Sequence, residues 1–141
     1  MRYLIPDTKK LVYQSTFPMR WGDMDAMGHL NNAMYFRYFE TVRMDWLLSV
    51  GAKANPNGEG FVIANAVCNF YKQLSFPCSI VAKLYVSDVA RTTFETWITL
   101  ELETEPDVIY AAGGSTTIWI DSVVKKAAAL PEWLRDKLTS L

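Results

Sequence analysis

The chain has two cysteines, one histidine, no basic run and no long apolar stretch, and each shortage closes off a class of protein. Cys68 and Cys78 are too few to staple a disulfide scaffold. His29 stands alone, so a zinc site would lack its usual ligands. Lys9-Lys10 and Lys125-Lys126 are only pairs, and 14 basic residues stand against 15 acidic ones. Nucleic acid is therefore not an expected partner, because phosphate binding needs a concentrated positive surface. No apolar run reaches the roughly 18 residues of a membrane span, and Met1-Arg2-Tyr3-Leu4-Ile5-Pro6 is short of a secretory apolar core. The expectation is a cytoplasmic protein with reduced thiols and no membrane insertion, metal or redox cofactor.

Apolar surface, by contrast, is plentiful. Half of the 141 residues are hydrophobic and 13% are aromatic, enough for a packed core and too much for a disordered chain. The length fits one domain, taken as residues 1–141.

Ser15 to Trp21 reads as a strand, with Ser15, Phe17, Met19 and Trp21 on one side and Pro18 demanding an edge or a bend. From about Asn32 the period changes. Tyr35, Phe39, Val42, Trp46 and Val50 recur at helical spacing, Asn31 is placed to cap the first turn, and Gly51 to end the last. That spacing predicts one helix of about five turns. A turn-rich stretch, Asn55-Pro56-Asn57-Gly58-Glu59-Gly60, leads into strand-like sequence at Phe61 to Lys72, Ile80 to Val86, Phe94 to Leu102 and Val108 to Ile120. The paired Gly113-Gly114 inside the last run suggests a close approach, and room for an acyl chain is one expectation for it. Pro131 to Leu138 fits a short closing helix. Strands grouped behind one helix predict an α+β layer with an antiparallel sheet.

Unusual chemistry is concentrated just ahead of the long helix. Asp23, Asp25, His29, Asn31 and Asn32 fall within ten residues. A helix N-terminus offers unpaired amides and a partial positive charge, which can hold the oxygen of a polarised carbonyl. A carboxylate beside it can attack that carbonyl or activate water. The pattern points to acyl-group chemistry, although Asp23 and Asp25 would also serve as ordinary turn residues, with Arg20 a salt-bridge partner for Asp23.

The run Asp23-x-Asp25, Gly28-His29-x-Asn31-Asn32, then Tyr35-x-x-Tyr38-x-Glu40-x-x-Arg43 resembles the 4-hydroxybenzoyl-CoA thioesterase-like branch of the hot-dog proteins. That resemblance implies a hot-dog fold, with about five antiparallel strands wrapped around one long central helix. It implies a thioesterase acting on an acyl-CoA or acyl-carrier-protein substrate. Asp25 would be nucleophile or general base, and the amide at Asn32 would polarise the thioester carbonyl. Tyr35 would lie near the acyl group, with Gly28 and Asn31 beside the substrate. Sites in such proteins form between subunits that join their sheets, so a homodimer or homotetramer is expected. The chain departs from the pattern at Pro77-Cys78, where many relatives carry Gly-Asp.

His29 is open to two readings, a direct chemical role or an orienting hydrogen bond. Tyr35 and Tyr38 suit core packing as well as a pocket. Lys72, Lys83, Arg91 and the Lys125-Lys126 pair are candidates for CoA phosphates, and equally for solvated faces. Two other functions use the same residues. A binding module would hold the thioester without turning it over, though binding alone gives no need for Asp25. A hydratase or dehydratase would set His29 and Asp25 across a carbon–carbon bond.

Overall fold

The computed structural model describes residues 1–52 and 57–140. Asn55 and Pro56, the start of the expected turn, lie outside them. In chain order the elements are β1 (Lys10–Pro18), α1 (Asn32–Ser49), β2 (Glu59–Phe70), β3 (Ser79–Ser87), β4 (Thr93–Leu102), β5 (Glu105–Asp121), β6 (Lys126–Ala127) and α2 (Glu132–Thr139). The sheet runs β1-β3-β4-β5-β2 with every pair antiparallel, and β6 adds two residues beside β5. This is the α+β arrangement expected of a hot-dog fold, with six strands where about five were anticipated. The sixth forms because Asp121 folds the chain back, its Oδ1 accepting from the amides of Val123 and Val124.

Helix α1 begins and ends where its chemistry says it should. The Asn31 side chain accepts from the Ala33 amide at 3.0 Å, and Gly51 takes a φ of 106° just past the C-cap, a conformation that side chains resist. Tyr35, Phe39, Val42 and Trp46 of the expected stripe are buried, and Tyr38 and Leu47 widen it. This face lies on the sheet against Ile80, Ala82, Leu84 and Val86 of β3, Phe94, Ile98 and Leu100 of β4, and Ala111 of β5. Burying a large apolar side chain of this kind contributes about 1.5–3 kcal/mol, so the helix–sheet interface contributes substantially to stability.

Three expectations change. The first strand is Lys10–Pro18, not Ser15 to Trp21. A bulge between Leu11 and Tyr13 breaks the alternation that would have revealed its start, and Trp21–Asp23 closes into a 3-10 turn with the Asp23 amide on the Arg20 carbonyl at 3.1 Å. The strand at Phe61 to Lys72 stops at Phe70, because the amides of Tyr71 and Lys72 both turn to the Tyr110 carbonyl. The glycine pair leaves no room for a ligand. A Cβ on Gly113 would lie 2.4 Å from the Phe39 ring, and one on Gly114 would lie 2.3 Å from the Trp97 ring. Two aromatic rings occupy that space, one on each face of the sheet.

Helix α2 closes one end of the core. Leu130, Leu134 and Leu138 are buried there, and Arg135 Nη2 donates to the Ala90 and Arg91 carbonyls at 2.8 and 3.2 Å. The two sheet edges differ. Both edges carry a bulge, but edge strand β1 is nine residues long and ended by a proline. Edge strand β2 is twelve residues long and exposes Val62 and Ile63.

Candidate functional site

The segment from Met24 to Leu30 folds on itself. Met24 and Leu30 form an isolated antiparallel bridge, the Asp25 amide donates to the His29 carbonyl at 2.7 Å, and the Gly28 amide donates to the Asp25 carbonyl at 3.1 Å. Gly28 has a φ of 78°, which glycine adopts without strain. Oδ1 of Asp25 accepts from the amides of Met27 (2.9 Å) and His29 (3.2 Å). The ordinary turn role is therefore real, but it engages one carboxylate oxygen only. Among the described residues Oδ2 of Asp25 has no hydrogen-bond partner, and the side chain is exposed.

The loop is anchored from below and behind. The Leu30 amide donates to the Leu74 carbonyl at 2.7 Å, with both side chains buried, and Ser75 Oγ donates to the Gly28 carbonyl at 3.0 Å. The Asn31 amide donates to the Asp23 carbonyl at 3.0 Å. Helix α1 then starts directly. Its first amide, on Asn32, has no partner among the described residues, as expected of a helix N-terminus.

A cleft of about 380 Å³ opens at this point, lined by Asp25, Leu30, Asn31, Asn32, Tyr35, Phe70 and Gln73. It brings together four of the six residues expected to form the site, Asp25, Asn31, Asn32 and Tyr35. Gly28 and His29 are not on its wall. Gly28 shapes the turn, and His29 holds Asp25 through its backbone, while its imidazole makes no hydrogen bond among the described residues. Tyr35 is both a core aromatic and a wall residue. Its ring meets the Phe70 ring edge-on at 4.8 Å, and burial pushes its phenol up to about 12, the Leu74 backbone pulling the other way.

Phe70 and Gln73 join the wall from the end of β2, about forty residues away in sequence. Sequence order gave no signal for Gln73. The strand was expected to run on to Lys72, so neither its end at Phe70 nor the contact of Phe70 with Tyr35 was visible. A separate groove of about 330 Å³, lined by Phe17, Pro18, Arg20, Tyr38 and Thr41, is apolar and lacks Asp25 and the helix terminus.

The cations divide by position. Lys72 adjoins Gln73, and its Nζ sits 5.5 Å from the centre of the Tyr110 ring. Lys83 pairs with the buried Glu101 at 2.9 Å on the outer face. Arg91 and Lys125-Lys126 lie at the opposite end of β5, roughly 30 Å from the cleft at about 3.3 Å per residue. Lys72 is the member of this group that adjoins a cleft-wall residue in sequence. Burial pushes the Cys68 thiol up to about 12 and raises that of Cys78, which disfavours the thiolate form at both.

The thioesterase-like superfamily model matches residues 19–138. An esterase candidate from Aquifex aeolicus is 33% identical over 75 residues, 51% of this chain and 59% of that protein. The chloroplastic acyl-acyl carrier protein thioesterase of Arabidopsis thaliana is 28% identical over 105 residues, 71% of this chain and 54% of that protein. The chain thus spans between half and three fifths of the length of these curated relatives. A thioesterase candidate from Pseudomonas aeruginosa superimposes with a TM-score of 0.83 at 27% identity, covering 89% of this chain and 97% of that one.

Proposed function

The chain belongs to the thioesterase-like superfamily, and from that premise we propose that it hydrolyses an acyl-CoA or acyl-carrier-protein thioester, with Asp25 as the catalytic carboxylate. The observation that carries this reading is one cleft presenting both a half-engaged carboxylate and a helix N-terminal amide. In the reaction Asp25 either takes a proton from water as it attacks the thioester carbon or attacks that carbon itself. A carbon–oxygen bond forms, and the carbonyl oxygen gains negative charge as the addition proceeds. The Asn32 amide, aided by the helix dipole, stabilises that charge. Collapse of the adduct breaks the carbon–sulfur bond, and the sulfur leaves to take up a proton. In the nucleophile route, water then cleaves the acyl–Asp25 anhydride.

Both carrier forms end in a phosphopantetheine arm, so the cleft meets the same thioester either way. The carrier-protein option follows the Arabidopsis relative, whose name specifies that substrate. Lys72, adjoining Gln73 of the wall, would be the cation to meet a phosphate group. Edge strand β2 ends in the cleft wall at Phe70 and exposes Val62 and Ile63 along its length, so a second copy paired there would extend both the sheet and the wall. A homodimer or homotetramer is the assembly this supports.

Thiol release from a panel of short, medium, long and aryl acyl-CoAs tests the reading, with a substrate-free blank for Cys68 and Cys78. Asp25→Asn is expected to lower turnover by about 10²-fold or more while the melting temperature stays near native, as for loss of a group acting in the transition state. Near-native turnover in that variant would remove Asp25 from the mechanism. Loss of a 2-enoyl-CoA chromophore without thiol release would favour a hydratase instead.

A further inference from the structure

Asp25 has no side-chain partner that fixes it relative to the helix, so the spacing between its carboxylate and the Asn32 amide must be set elsewhere. The loop is internally closed by its own backbone bonds. Asp23 is the residue that joins this loop to α1 by two separate routes. Its backbone carbonyl accepts from the Asn31 amide, at the cap of the helix. Its Oδ2 accepts from the Tyr38 hydroxyl at 2.7 Å, nearly two turns further along the same helix. Arg20 completes the arrangement, its Nε donating to the same Oδ2 at 3.0 Å and its amide to the Tyr38 hydroxyl at 3.4 Å.

This network is well placed to be rigid. Tyr38 is 5% exposed and the Asp23 side chain 11% exposed, and the Phe17 ring meets the Tyr38 ring edge-on at 5.3 Å. A charge-assisted bond from a neutral phenol to a carboxylate is short and directional, and shielding from water strengthens it. Burial, with Asp23 accepting from the phenol, pushes the Tyr38 hydroxyl up to about 12, so it stays a donor across the working pH range. None of these atoms lines the cleft.

We propose that Asp23 and Tyr38 are positioning residues, a clamp that sets the Asp25 carboxylate at its working distance from the helix N-terminus. The inference rests on the Asp25 reading above. A clamp of this kind acts on the transition state, where misplacement by about 1 Å costs on the order of 10²-fold, and much less on substrate binding. Tyr38→Phe removes one hydroxyl and leaves the packing, so it should lower kcat about tenfold or more with KM within about twofold. Asp23→Ala, which removes the acceptor that an asparagine amide oxygen would keep, should do the same, and the double variant should lose little beyond either single one, because both break one linkage.

Steady-state kinetics on the best acyl-CoA, with melting temperatures for all three variants and Asp25→Asn alongside, decides the matter. A kcat loss that is non-additive between Asp23 and Tyr38, in variants still folded at the assay temperature, supports the clamp. Native kcat in folded Tyr38→Phe, beside an inactive Asp25→Asn, overturns the clamp and leaves the Asp25 reading intact. An active Asp25→Asn overturns the reading and the clamp together. Additive losses that follow the fraction unfolded overturn the positioning role in favour of a purely structural one.

Discussion

The two ends of the sheet are built by different physics. At one end α2 seals the core with apolar packing: Leu130, Leu134 and Leu138 are buried, and the Trp119 and Trp133 rings meet at 6.3 Å. At the other end the covering is a polar loop held by backbone bonds, and the cleft stays open above Tyr35 and Phe70. Apolar packing stabilises without directing any group at a ligand. A loop held by directional bonds contributes less to stability, but it can present a carboxylate and an amide at one point. The apolar seal and the proposed chemistry thus lie at opposite ends of the strands.

That separation makes substitutions at the two ends fall on different measurements. Leu134 is fully buried, and Leu134→Ala should cost about 2–5 kcal/mol of a total near 5–15 kcal/mol. Thermal or denaturant unfolding would show it, and kcat per folded molecule should be unchanged. A lowered kcat in the folded fraction would break the comparison. Asn31→Ala removes the side-chain cap from the Ala33 amide at the open end, and should cost only about 1 kcal/mol. Since Asn31 also lines the cleft, kcat should fall with it, so this variant moves both measurements. Unchanged turnover there would show that the cleft tolerates a loosened helix start.

The smallest effect is invisible at neutral pH. Tyr35 and Tyr38, both at the open end, hold their protons to about 12 in the folded chain, against an ordinary value near 10. The folded state therefore binds more protons between those values. Stability from this source is complete below pH ~10 and is lost as the pH rises towards about 12. Melting temperatures taken from pH 9 to 12 should fall less steeply in Tyr35→Phe than in the native chain. Equal slopes would place the alkaline sensitivity elsewhere, Cys68 being the next group that burial holds protonated.

How far the sequence reveals this architecture depends on whether one local period governs each segment. In α1 the apolar spacing, the Asn31 cap and Gly51 all report the same helix. In β3 one face is fully buried and the other only partly, so Ile80, Ala82, Leu84 and Val86 alternate visibly. Where two contacts compete, the signal fails. The bulge at Leu11/Tyr13 shifts the alternation of β1 by one residue, and β2, half uncovered, shows no clean period. Gly113 and Gly114 were legible as a close approach, but which rings fill the gap is a tertiary fact. The site divides the same way. Asp25 through Tyr35 are consecutive and could be read together, whereas Phe70 and Gln73 arrive by β-pairing that no local pattern encodes. The bond from Tyr38 to Asp23 was hidden for the same reason, since Tyr38 suits core packing or a pocket equally from its spacing.

Edge strand β2 also carries a consequence for how the protein behaves at different concentrations. Its unpaired amides and carbonyls, with Val62 and Ile63 exposed beside them, are satisfied best by another strand. Any such pairing binds the folded chain and not the unfolded one, so mass action ties stability to abundance. If a second copy pairs along β2, as proposed above, a concentrated chain would gain a longer sheet and a better enclosed cleft, and abundance would then set how durable each molecule is.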